Sequence, residues 1–111
     1  MRLLDAGEGF ARATMTVRPD MLNALGSLHG GVFFTFADST FGVACNWHGK
    51  ATFGMSCDAT YLAPAYPKDA LIAEAREVHR AGRTSYFDVT VSRDDGTVLL
   101  LFHGTSRTPG A

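Results

Sequence analysis

The sequence predicts an α+β domain in which one long, buried helix lies against an antiparallel sheet of about five strands. Three observations predict it. Apolar and polar residues alternate with period two from Ala11 to Val17. The stretch His29–Trp47 is apolar on nearly every face and holds Asp38 as its one formally charged residue. Alternation then returns and runs to the end of the chain. A strand, a helix and four further strands in this order form a sheet with a helix packed on it.

Each element has its own signal. Ala11, Ala13, Met15 and Val17 face one way, with Arg12, Thr14 and Thr16 between them, and Pro19 ends the strand. The length of His29–Trp47 favours helix over strand, and Gly49 stops it. Asp38 in mid-run argues against a membrane span. Phe53, Met55, Cys57, Ala59 and Tyr61 alternate with Gly54, Ser56, Asp58 and Thr60, and Pro64 and Pro67 then punctuate a loop. Leu71–His79 places Leu71, Ala73 and Ala75 opposite Glu74 and Arg76. Gly82 marks a turn before Phe87, Val89 and Val91, and Asp94-Asp95-Gly96 is a hairpin signal ahead of Val98–Ser106. A helix apolar on every side needs more cover than five strands supply, so a two-fold homodimer setting two such helices together is expected.

Composition narrows the function. The chain has 111 residues, a net charge of -1 and a hydrophobic fraction of 46%. That is globular, and it lacks the basic footprint of a nucleic-acid binder. Without repeats or linkers, residues 1–111 read as a single domain. Arg2, Asp5, Glu8 and Arg12 break the first residues, so no signal-peptide run is seen. Cys45 and Cys57 form no CxxC pair and suit a reducing cytoplasm. His29, His48, His79 and His103 lack metal-ligand spacing, and no dinucleotide, P-loop or GxSxG motif occurs. No metal or cofactor is expected.

Asp38 is the most informative residue. A carboxylate in an apolar helix carries a desolvation cost unless polar groups meet it. It is either structural, satisfied by backbone donors or a neighbouring chain, or it is kept as a nucleophile or general base. His29-Gly30-Gly31 opens the helix, where first-turn amides lack intrahelical acceptors and the helix dipole favours an anion or oxyanion. Plain loop-to-helix geometry would also explain the glycines. Eight residues separate Gly30 from Asp38, about 12 Å along a helix axis. One carbonyl cannot touch both in one helix. Two antiparallel helices across a dimer axis would let Gly30 of one meet Asp38 of the other. Asn23 could bond a carbonyl or water, or serve its turn. Ser56 sits in the polar register of its strand. Gly82-Arg83-Thr84-Ser85 offers one cation and two hydroxyls at a turn, suited to a phosphate or to a solvated hairpin.

Taken together, Asn23, His29-Gly30-Gly31 and Phe36-Ala37-Asp38 resemble the hotdog-fold thioesterases, nearest the PaaI type of phenylacetate-pathway acyl-CoA thioesterase. Glu8-Gly9-Phe10-Ala11, Thr14–Val17, Met21-Leu22-Asn23, Ala44-Cys45-Asn46, Tyr61–Pro64, Gly82-Arg83-Thr84 and Phe102–Thr105 extend the resemblance over nearly the whole chain. It implies a sheet wrapped round a central helix, dimers with a continuous sheet, commonly paired as homotetramers, and sites between subunits. It further implies that the Gly30 amide polarises the thioester carbonyl and that Gly31 binds substrate. Asp38 of the partner is then nucleophile or general base. Asn23 positions carbonyl or water, His29 shapes the loop, Ser56 assists, and Gly82, Arg83, Thr84 and Ser85 touch CoA. Phe33, Phe34, Phe36, Phe41 and Met55 are candidates for the acyl pocket, suited to an aryl-acetyl group. Members of this type usually place a helix before the first strand, whereas this chain reaches its strand almost at once, which bears on substrate cover. Two rivals are an acyl-thioester dehydratase working through His29 and a non-catalytic acyl-CoA-binding protein.

Overall fold

The computed structural model describes residues 1–110. Its elements are β1 (Arg2–Gly7), β2 (Phe10–Thr16), α1 (Gly30–Asn46), β3 (Phe53–Tyr61), β4 (Ala70–Ala81), β5 (Thr84–Arg93) and β6 (Val98–Arg107), with a 3-10 turn at Pro19–Met21. All strands join one antiparallel sheet in the order β1-β2-β4-β5-β6-β3. The class agrees with the sequence reading, with one strand more than expected.

The additional strand is β1. It lacks alternation, because as an edge strand it leaves Arg2 to Asp5 exposed on both faces. Glu8 and Gly9 join it to β2, and Gly9 takes the left-handed φ of 66° that such a turn requires. Gly96 at φ 93° closes the β5–β6 hairpin where Asp94-Asp95-Gly96 signalled it.

The inner face of the sheet holds the core. Ala11 and Ala13 pair with Ala75 and Ala73, which pair with Val89 and Val91, and all six are essentially inaccessible. Small residues in the middle of the sheet let α1 approach closely, and Phe33, Phe36, Phe41, Phe87 and Phe102 fill the remaining space. Phe41 stacks edge-on against Phe87 at 5.3 Å and lies over Gly104, where an added Cβ would come within 2.8 Å of its ring. Gly104 is therefore where the sheet closes round the helix.

The helix is not covered on every side by its own chain. Gly31, Thr35, Asp38 and Asn46 are exposed along one stripe, with Gly42 half-buried between them. The expected all-round burial does not hold within one copy, because the six strands embrace only the opposite flank. Edge strand β3 is open in the same way, with Phe53 and Met55 both 52% exposed and Tyr61 at 50%.

Candidate active site

The chain enters α1 through a loop built on Asn23. Its Oδ1 accepts from the amides of Leu25 at 2.9 Å and Ser27 at 3.2 Å, and its Nδ2 donates to Ser27 Oγ at 3.0 Å. Those bonds are turn chemistry, leaving Asn23 one further donor hydrogen. His29 follows as the N-cap, its Nδ1 accepting from the Gly31 amide at 2.9 Å. That bond holds the imidazole against the helix end. The Val32 and Phe33 amides both donate to the His29 carbonyl.

One first-turn amide remains. The Gly30 N–H meets no acceptor among the described residues, although the neighbouring amides do. It stands at the positive end of a 17-residue helix, where unsatisfied N–H groups and the dipole together favour negative charge. On the other face of the turn, the Tyr61 hydroxyl donates to the Gly30 carbonyl at 2.9 Å. In sequence Tyr61 reads as a strand residue and as the start of the Tyr61–Pro64 segment of the resemblance, with no site role. Its position in the helix-facing register of β3 was the available signal.

Asp38 lies midway along α1, eight residues from Gly30 and eight from Asn46, or about 12 Å from either end. Its side chain is exposed and makes no hydrogen bond or ion pair among the described residues. The anticipated burial cost is therefore absent in one copy, because the open stripe leaves the carboxylate in water. Across the helix on β3 stands Cys57. Desolvation pushes its thiol up from the ordinary cysteine value, and the charges of Asp38 and Asp58 add to that rise. Ser56 precedes it at a register irregularity, exposed, its hydroxyl making no hydrogen bond among the described residues.

Beside the helix N-terminus, a cavity of about 340 Å³ is lined by Met15, Val32 and Phe36, with His29, Thr35 and Ser39 at its polar edge. Of the aromatic candidates for an acyl pocket, Phe36 alone reaches this cavity. Phe33 and Phe41 are core residues, and Phe34 packs edge-on against Phe102 at 5.4 Å. Met55 lies on the open edge of β3. The Phe residues answer the demand for core volume first, which a count of aromatics cannot separate from pocket lining.

A second cleft, about 610 Å³, opens at the other end of α1 and includes Trp47, Lys50, Arg80, Gly82, Arg83 and Ser85. Thr84 is not among its lining residues; its hydroxyl accepts from Arg107 Nη1 at 3.4 Å. Thus Gly30, Gly31, His29 and the Asn23 loop gather at one helix end, Gly82, Arg83 and Ser85 at the other, and Asp38 between. Among the described residues no helix is long and apolar enough to cross a membrane, and no three His, Cys, Asp or Glu side chains are placed to hold a metal ion.

Comparison with known proteins identifies the family. Residues 25–100 match the thioesterase superfamily, a span that takes in His29, Gly30, Asp38, Ser56 and the Gly82–Ser85 turn. Acyl-coenzyme A thioesterase PaaI of Escherichia coli is 36% identical over 108 residues, covering 97% of this chain and 77% of that protein. Its structure superposes with a TM-score of 0.94 over 98% of this chain and 79% of that one. A putative esterase of Archaeoglobus fulgidus is 36% identical over 104 residues, covering 94% of this chain and 68% of its own length. A Streptococcus mutans protein, smu.793, solved bound to acetyl CoA, is 26% identical with a TM-score of 0.92, covering 98% of this chain and 88% of that one. With the one-helix, six-strand architecture and this similarity along nearly its whole length, the chain belongs to the thioesterase superfamily and is a thioester hydrolase of the hotdog fold.

Proposed function

We propose that the chain hydrolyses acyl-CoA, of the aryl-acetyl or a similar medium acyl class, at sites formed between two copies of itself. The observation that carries this reading is the pair of unpartnered groups on α1, the Gly30 amide and the Asp38 carboxylate. At about 12 Å apart along the axis they cannot serve one carbonyl within a chain. An antiparallel pair of helices brings each Gly30 to the partner's Asp38. The open stripe of α1 and the apolar edge of β3 are the surfaces such a pairing covers. Two of these dimers assembling into a homotetramer is part of the same proposal.

In the reaction, water attacks the thioester carbon while Asp38 takes its proton, or Asp38 attacks first and water then cleaves the acyl-enzyme. Either way the carbonyl oxygen gains charge and the Gly30 amide holds it, a donor of the kind worth about 3–4 kcal/mol to the barrier. Collapse expels the CoA thiolate, which is protonated as the acid leaves. Asn23 positions water or the carbonyl, and Ser56 assists. The acyl group takes the cavity beside Phe36 and Val32. The phosphates lie in the cleft of Lys50, Arg80 and Arg83, together with Gly82 and Ser85, and Thr84 belongs to the same turn. That cleft lies at the C-terminal end of α1, about 12 Å along the axis from Asp38, and substrate runs from it toward the carboxylate of the same chain. The free thiols Cys45 and Cys57 agree with a cytoplasmic protein.

His29 supports hydrolysis over dehydration, since its Nδ1 is already engaged as the helix cap by the Gly31 amide. The decisive assay is thiol release from an acyl-CoA panel including phenylacetyl-CoA, with Asp38→Asn as the comparison. Wild-type turnover that falls about 10³-fold in a folded, associated variant is the expected result. Tight binding without thiol release by wild-type protein would leave an acyl-CoA-binding protein instead.

A further inference from the structure

The geometry points to Tyr61 as a positioning residue for the oxyanion donor, clamping the Gly30–Gly31 peptide; this rests on the hydrolytic role proposed for Gly30. Two consecutive glycines at a helix start are the least restrained backbone available, because neither has a Cβ to limit φ and ψ. Left alone, the first turn would sample several orientations of the Gly30 N–H. The structure ties the peptide between these glycines at both ends. Its carbonyl, that of Gly30, accepts from the Tyr61 hydroxyl at 2.9 Å. Its amide, that of Gly31, donates to His29 Nδ1 at 2.9 Å. Each bond fixes one end of a rigid plane, and this plane meets, at Gly30 Cα, the one that carries the free Gly30 N–H, whose His29 carbonyl is held by the Val32 and Phe33 amides.

Tyr61 is itself held. Its ring meets Phe33 edge-on at 5.9 Å and 73°, and Phe33 is 3% exposed in the core. Its backbone pairs with Leu100 of β6, and the next two amides, Leu62 and Ala63, both donate to the Leu99 carbonyl. The phenol end also reaches Gly30, its hydroxyl, Cε1 and Cζ 3.5–3.6 Å from where a Cβ would stand. The phenol thus connects the sheet edge to the helix end. Tyr61 does not need to touch substrate: it keeps aimed the donor that does.

The test is Tyr61→Phe in the intact assembly. The ring, the Phe33 contact and the strand pairing remain, while the hydroxyl bond goes. The expected result is a fall in kcat of about tenfold with KM within about twofold, less than the loss of an oxyanion donor itself and of the size expected for a misplaced one. The carbonyl stretch of acyl-CoA bound in the Asp38→Asn background reads the donor directly. It should move to lower frequency on binding, and the shift should shrink with Tyr61→Phe added. Unchanged kcat and stretch, or a loss of melting temperature that accounts for the activity with the stretch unmoved, would overturn the clamp. If wild-type protein binds acyl-CoA without releasing thiol, hydrolysis fails and the stretch still decides the clamp. Should the phenylalanine variant not fold, 3,5-difluorotyrosine at position 61 keeps the shape. Activity should then fall with pH as the more acidic phenol loses its proton, and a pH profile unchanged from wild type would count against the role.

Discussion

The first turn of α1 and the edge strand β3 are built on opposite principles. At the turn, each polar group but one finds its partner within the chain: His29 caps Gly31, the His29 carbonyl takes two amides, and Tyr61 holds the Gly30 carbonyl. Along β3, Phe53, Met55 and Tyr61 lie half-exposed on a free sheet edge beside a carboxylate with no partner. In one copy the turn leaves a single amide open, and the edge leaves a whole surface open. The difference separates two contributions to the proposed site, preorganisation supplied by local capping and, in the proposed pairing, assembly supplied by a second copy.

Deleting the Gly30 N–H breaks the comparison at its strongest point. Gly30→Pro does so with little else, because proline is favoured at the first helical position. His29 at φ -62° and ψ 134° already has the extended backbone that precedes proline. Activity should fall about 10²- to 10³-fold while the helix survives, as thiol release and circular dichroism would show together. Mixing this variant with Asp38→Asn sharpens the result. If each site takes Gly30 from one chain and Asp38 from the other, a mixed dimer has one intact site. Half of random pairs are mixed, so about a quarter of wild-type activity should return after subunit exchange. A mixture as inactive as its parts would place both groups in one chain.

The other region is tested at its edge. Met55→Lys puts a charge on the open side of β3, twice per two-fold interface. Losing the burial of one methionine is worth about 1.5–3 kcal/mol, so two raise the dissociation constant about 10²-fold or more. Sedimentation should show single copies at concentrations where wild type is associated. Activity should fall over the same concentration range with secondary structure intact, and full activity in a protein sedimenting as single copies would remove the interface from the mechanism.

Legibility in the sequence follows the same division. Ala11–Val17, Leu71–Ala75 and Phe87–Val91 read directly as strands because their own chain buries one face of each. β3 carries the same alternation, yet the structure leaves Phe53 to Asp58 exposed. Its apolar residues encode a surface that one copy does not cover. The apolar character of α1 beyond what its sheet buries is the same signal, and it led to an expectation of all-round burial. β1 was silent because both its faces are exposed. His29, Gly30 and Asp38 stood out as local anomalies of a cap, a glycine pair and a lone charge. The Tyr61 bond to Gly30 spans 31 residues, so only the fold reveals it.

The smallest expected effect concerns the fold rather than the chemistry, and two glycines with different surroundings decide it. At Gly104 a Cβ would stand 2.8–2.9 Å from three carbons of the Phe41 ring, itself wedged between Phe87 and Phe102. A well-packed core does not yield easily, so Gly104→Ala should cost about 1–3 kcal/mol. The melting temperature should drop by about 4–8 °C per kcal/mol for a domain near this size. At Gly30 the same methyl meets the Tyr61 ring at 3.5–3.6 Å, ordinary contact, and the helix gains from alanine. Gly30→Ala should therefore leave the melting temperature level or slightly higher. If instead it falls as far as Gly104→Ala, the first turn is braced by tight packing against Tyr61 rather than by the two hydrogen bonds on its peptide.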